Sequence, residues 1–136
     1  MRLSVPLSSV GAMDASAAAA HLARDVDPVS RERLEAQGLT MTLVTGDADR
    51  EAFIQVVARG FLDPELTAEQ VREARARGDY RRMTGVYDPA APSASAPVAT
   101  SASWLSELTV PGGGVLAGSA VSAVTVAPTH RRRGIA

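Results

Sequence analysis

The chain is expected to fold as an α/β protein on a mixed sheet, with elements in the order β-α-α-β-β-β. Apolar alternation over Thr40 to Val44, Tyr80 to Tyr87, Val98 to Val110 and Val115 to Val126 follows the period of two that a pleated strand needs. Between the first two of these runs lie two segments with helical spacing and helix start and stop signals. At the carboxyl end a valine-rich strand passes straight into a basic loop, Arg131 to Ala136, of the kind that opens a helix.

Residues 1–38 read as an extension, weakly structured or helical. Asp14 can cap a short alanine-rich helix to about Arg24, and Asp27-Pro28 can start another that Gly38 ends. Neither has a firm apolar stripe, and no functional role is assigned to them. Residues 39–136 form the domain proper. After the first strand, Gly46-Asp47 turns into a helix that carries Phe53, Val56, Val57, Gly60 and Phe61 as a core-facing stripe. The next helix runs from Ala68 to about Arg77. Thr67 and Gln70 stand in capping-box positions, Leu66 can staple onto Val71, and Gly78 closes it.

The second and third strands are separated by Pro89 to Pro97, a proline, alanine and serine tract with little to bury, expected to be a flexible excursion. Pro111 to Gly114 makes the turn into the last strand.

Composition bounds the function. With 136 residues, 46% hydrophobic and 21% charged, the chain suits one small domain and not two. A net charge of −1 argues against general nucleic-acid affinity. Zero cysteines exclude a disulfide framework, a thiolate metal site and a cysteine nucleophile from this stretch. His21 and His130 are too few for a metal cluster, so no metal is expected. Near the start, Ser8, Ser9, Gly11 and Asp14 interrupt the apolar centre that a secretory signal needs. No run approaches the ~18 apolar residues of a membrane span. The cytoplasm is the expected location, with no membrane partner.

The carboxyl end carries the chemistry. Arg131, Arg132, Arg133, Gly134, Ile135 and Ala136 offer successive backbone N–H groups, a glycine without a Cβ, and cationic side chains. A diphosphate suits such a loop. Val124, Thr125 and Val126 can present main-chain amides and carbonyls to an extended amide-bearing ligand, as one strand does to another. Coenzyme A combines both parts, since its pantetheine arm carries two amides and ends at a diphosphate.

The segment Val124 to Ala136 resembles motif A of the GNAT N-acetyltransferases, whose pyrophosphate loop reads Gln/Arg-x-x-Gly-x-Gly/Ala. Arg131, Gly134 and Ala136 fill its specified positions, and Ala127-Pro128 precedes it after a β-rich run. The bare loop pattern is weak; with that run and Ala127-Pro128 before it, it is specific. The fuller run Ala127 to Gly134 is similar to the enhanced-intracellular-survival (Eis) branch, which acetylates amines of aminoglycosides, lysine or polyamines. The resemblance implies the N-terminal half of the GNAT fold and acetyl-CoA as acetyl donor. It also implies direct attack of a primary amine on the thioester, with a general acid protonating the leaving thiolate. The rest of the cleft, a tyrosine acid, a terminal carboxylate, a second acetyltransferase-like region and a sterol-carrier-like region are implied beyond Ala136. The complete protein is implied to be a hexamer. No catalytic residue is therefore assigned within this chain, which alone is expected to be inactive and either unstable or aggregation-prone.

Trp104 and Glu107 on the third strand are candidates for the amine-binding side. An isolated strand glutamate is more often a solvated face residue, and a single strand tryptophan usually packs. Packing is also the stronger reading for Tyr80 and Tyr87. His130 is expected to be solvated. The run Arg72, Arg75, Arg77, Arg81 and Arg82 could meet an anionic partner, but interleaved Glu69, Glu73 and Asp79 make a salt-laced surface helix the stronger reading. Two functions stay open: an acetyl-CoA-dependent N-acetyltransferase represented by its N-terminal portion, and a non-catalytic remnant or assembly partner that retains half of the fold.

Overall fold

A computed structural model describes residues 14–136. The signal-peptide reading of the first residues lies outside this range. Helix α1 (Ala15–Ala23) begins at Asp14, whose carboxylate accepts from the Ser16 N–H, and α2 (Pro28–Glu35) begins at Asp27, which accepts from Ser30 N–H. Gly38, at φ +76°, turns the chain after α2 into β1 (Thr40–Leu43). There follow α3 (Asp47–Gly60), α4 (Ala68–Gly78), β2 (Arg82–Tyr87), β3 (Ala99–Val110) and β4 (Gly114–Val126). A single 3₁₀ turn, Pro128–His130, comes last.

The four strands lie in the order β1-β2-β3-β4, each antiparallel to the next, so β4 is an edge of the described sheet. Side-chain alternation on β2 sends Met83 and Val86 to opposite faces. Met83 joins Val44, Phe53, Ala102 and Ala123 under α3. Val86 joins Leu34, Leu39, Val98 and Ala99 under α2, with Val126, Ala127 and Ile135 packed against them. The sheet is thus covered on both faces, and the loop after β4 belongs to one of the two cores.

Within residues 1–38, α2 contributes Leu34, only 1% exposed. The connector between α1 and α2 is tied to β2, because the Arg82 guanidinium donates to the carbonyls of Arg24 at 2.8 Å and Asp25 at 2.9 Å. His21 Nε2 lies 3.1 Å from Ser103 Oγ on β3.

The capping box of α4 forms as expected, with Thr67 Oγ1 accepting from Gln70 N–H and the Gln70 side chain accepting from Thr67 N–H. Other expectations need correction. Phe61 is not on the core stripe of α3: it is the C-cap, beyond the last helical residue, and is exposed. Ala58 takes the buried place instead. The segment Pro89 to Pro97 is a series of turns pinned at its start, where Asp88 accepts from Ala90 N–H through its carboxylate and from Ala91 N–H through its carbonyl. Ala91 packs on the α2-side core.

Candidate functional site

The site is built on β4. Its register with β3 runs evenly from the hairpin turn until Ala102 pairs with Ser122, and then resumes with Thr100 opposite Thr125. Ser101 therefore faces two residues, Ala123 and Val124, which is a β-bulge. Ala123 adopts φ +54°, a left-handed conformation that disfavours a residue with a Cβ. Two hydroxyls hold it there. Thr100 Oγ1 lies 2.7 Å from the Ala123 carbonyl and 2.7 Å from Thr125 Oγ1. A carbonyl only accepts, so Thr100 donates to Ala123 and Thr125 donates to Thr100, which satisfies the chain. Both threonines are buried.

Helix α3 fixes this unit from above. A Cβ added to Gly60 would stand 2.5 Å from Thr125 Cγ2, so only glycine allows the helix to approach so closely. The bulge bends the strand and turns its outer edge, and Val124 beside it is 48% exposed. Thr125 and Val126 face inward by comparison, and the Val126 carbonyl accepts from Arg131 Nε at 3.4 Å.

The next residues leave the strand under tight control. Ala127 N–H donates to the Val98 carbonyl at 2.8 Å, and the 3₁₀ turn then buries His130 to 7% exposure. This corrects the expected solvated histidine. Its Nε2 lies 2.8 Å from Asp88 Oδ2, and its Nδ1 lies 2.8 Å from Thr129 Oγ1. Because a carboxylate only accepts, Nε2 carries a proton, and a neutral ring then accepts from the Thr129 hydroxyl at Nδ1. The hydrogen bond from His130, followed by that from Ala90 N–H, holds the Asp88 carboxyl below its usual range. Asp88 directly follows β2, so this pair ties the start of the basic loop to the middle of the sheet.

Arg131 to Ala136 form turns and bends, not the first turn of an α-helix. Arg132 and Gly134 take left-handed φ values of +63° and +65°, which reverse the chain twice and bring it back against α2. The loop is tethered at α2's end: Gln37 Nε2 donates to the Arg133 carbonyl at 3.3 Å, and Arg133 Nη2 donates to the Gln37 carbonyl at 3.4 Å. Among the described residues none of Arg131, Arg132 and Arg133 forms an ion pair with a carboxylate. A cavity of about 300 Å³ opens between α2, β4 and the loop, lined among others by Arg33, Leu34, Val124, Thr125, Ile135 and Ala136.

Trp104 and Glu107 lie elsewhere. An odd spacing on β3 puts them on opposite faces of the hairpin, and neither lines that cavity. Trp104 meets Tyr80 edge-on with centroids 5.8 Å apart, and the Arg81 guanidinium lies 5.0 Å from the Trp104 ring centroid. Glu107 is exposed on the outer part of β3. Tyr87 folds across Gly85, where a Cβ would meet its ring at 2.8 Å; burial, and then the nearby Asp49, raise its phenol pKa. Thr100, Ala123 and Asp88 escaped the reading from sequence. Threonines in a run otherwise rich in small apolar residues were the available signal for the first.

Residues 43–136 match the family model described as an acetyltransferase (GNAT) domain. This chain belongs to the GNAT acetyltransferase family. Two Streptomyces griseus proteins, an uncharacterized N-acetyltransferase and the uncharacterized N-acetyltransferase ORF5, are each 40% identical to it over 84 residues. That match takes in 61% of this GNAT chain and 19% of each relative, so the chain spans about a fifth of the length of the curated relatives it matches. Its fold is similar to that of an acetyltransferase from Trypanosoma brucei, with a TM-score of 0.51 at 13% identity over 71% of this chain and 66% of that one. A glucosamine-6-phosphate N-acetyltransferase from Arabidopsis thaliana aligns with a TM-score of 0.47 at 16% identity, over 70% and 64% of the two chains.

Proposed function

We propose that this chain supplies the acetyl-CoA side of an N-acetyltransferase of the Eis branch, acting on a primary amine of aminoglycoside, lysine or polyamine type. One observation carries the cofactor reading. A bulged edge strand runs directly into a loop whose three arginines have no carboxylate partner among the described residues. Such an edge suits an extended ligand with amides, and such a loop suits the phosphates at that ligand's end. The residues fit the group. Val124, Thr125 and Val126 would flank the pantetheine arm, and Arg131, Arg132, Arg133, Gly134, Ile135 and Ala136 would hold the diphosphate. Acetyl-CoA, when bound, brings a thioester-linked acetyl group; the residues of this chain bind and orient it.

The Eis assignment rests on the wording of Ala127 to Gly134, while relatives described as N-acetyltransferases support acetyl transfer in general. Residues 39–136 are proposed as the N-terminal part of an acetyltransferase domain and residues 1–38 as an extension preceding it. Trp104 and Glu107 are proposed on the amine side. The acid and base are proposed to lie beyond Ala136, so that this stretch alone is inactive, and the complete protein is proposed as a cytoplasmic hexamer.

Titration calorimetry of the 136-residue chain with acetyl-CoA tests the reading. Saturable heat at one site is expected. Absence of heat from a chain that still melts cooperatively would transfer the assignment to a second reading, a non-catalytic remnant or assembly partner. Exposed Leu108 and Leu116, cross-strand partners on the outer β3–β4 hairpin, favour that second reading, since exposed apolar surface marks contact sites.

A further inference from the structure

We infer that Arg33, on helix α2 and outside the residues that match the family model, is a phosphate ligand of the cofactor site. The inference rests on the acetyl-CoA reading above and extends the site to an element that the family match does not include. Three observations place Arg33 there. Its Nη1 stands 3.3 Å from the position a Cβ would take on Gly134, so the guanidinium lies directly against the loop's left-handed glycine. It lines the same cavity as Val124, Thr125 and Ala136. The reciprocal Gln37–Arg133 hydrogen bonds, one helical turn further on, hold α2 and the loop in this relation.

Charge decides what the arrangement takes. Among the described residues Arg33 has no carboxylate partner, and neither do Arg131, Arg132 and Arg133. In contrast, Arg31 on the same helix is paired with Asp25 at 2.7 Å, and Arg75 is paired with Asp47 at 3.2 Å. Like charges on adjoining segments repel, and a multiply charged anion between them removes that cost. A guanidinium fork matches a phosphate with two parallel N–H donors. The cofactor's nucleotide end offers two such groups, a diphosphate and a 3′-phosphate. Leu34 beside Arg33 is buried in the core, which fixes the helix face from which the guanidinium reaches.

Calorimetry on the full chain with acetyl-CoA and with its 3′-dephospho form tests the inference, using Arg33→Gln and Arg33→Lys. Arg33→Gln keeps a polar side chain on the same three-carbon stem but no charge, and a loss of affinity of roughly tenfold is expected, in the range of one charge-assisted hydrogen bond. Arg33→Lys keeps the charge and should recover part of it. If the loss persists with the 3′-dephospho cofactor, the diphosphate is the partner; if it disappears there, the 3′-phosphate is. Unchanged affinity in Arg33→Gln, or equal losses in both variants, would overturn the inference, because a packing role does not distinguish charge. No binding by the unmodified chain would instead remove the acetyl-CoA reading itself, and the inference with it.

Discussion

Thr100 and His130 act on the site through other groups, and each makes a separable prediction. Replacing Thr100 with valine keeps the shape but leaves the Ala123 carbonyl without its donor inside the sheet. The expected loss is about 1–3 kcal/mol of stability, read from denaturant unfolding, with weaker acetyl-CoA binding as the bulge relaxes. His130→Ala removes the tie between the basic loop and Asp88. It should lower the melting temperature and weaken acetyl-CoA binding; a variant that melts earlier yet binds as before would show that the loop needs no such tie. Asp88 also sets a pH dependence. Its carboxyl is held below its ordinary value of 3.8 in the folded chain, so its contribution is complete above that value and is lost as pH falls through the folded one. Asp88→Asn should therefore cost most near neutral pH, and the difference in melting temperature from the unmodified chain should shrink below about pH 4. None of this was legible in the sequence. An isolated loop histidine next to three arginines reads as solvated, and its partner lies 42 residues earlier, across the sheet.

Local elements were far easier to read, because their signals are local. Asp14, Asp27 and Thr67 cap the three helices they precede, and Gly38 takes the left-handed turn its position suggests. The misreadings fall where tertiary contact overrides local pattern. Tyr80 and Arg81 alternate like strand residues, but the chain is still turning, with Arg81 N–H donating to the Gly78 carbonyl, and β2 begins at Arg82. The bulge in β4 likewise depends on a hydroxyl from β3, so nothing within Val121 to Val126 announces it. Gly60 shows the reverse case, a residue legible as part of a stripe whose reason emerges only from the packing. Alanine is favoured over glycine in helices by about 1 kcal/mol, yet here its methyl would enter the space of Thr125. Gly60→Ala should therefore destabilise, by roughly 1–3 kcal/mol as overpacking does. Adding Thr125→Ser removes only one of the two obstructing carbons, since Thr125 Cβ would still stand 2.6 Å from the new methyl, so most of the loss should remain; a Gly60→Ala variant as stable as the unmodified chain would mean that α3 simply moves away.

On the scale of the whole molecule, the family match begins at residue 43, but the core does not. Leu34 and Leu39 are the most deeply buried large side chains, and they pack with Val86, Val98 and Ala99 beneath the strand that precedes the basic loop. Val126, Ala127 and Ile135 rest on that same cluster, so the helix from the N-terminal segment and the loop at the carboxyl end share one apolar support. The segment's weak apolar periodicity hid this, since a single leucine on a short helix makes no stripe. Removing a buried leucine to alanine costs about 2–5 kcal/mol, a large share of the stability of a domain this size. Leu34→Ala should lower the unfolding midpoint by a corresponding amount. Because the cluster also carries the loop, hydrogen exchange at Arg131 to Ala136 should quicken in that variant more than exchange under α3, where Phe53, Met83 and Ala102 form a separate core. Uniform acceleration over both faces would mean that the two cores open together and that α2 steadies the loop only by stabilising the fold as a whole.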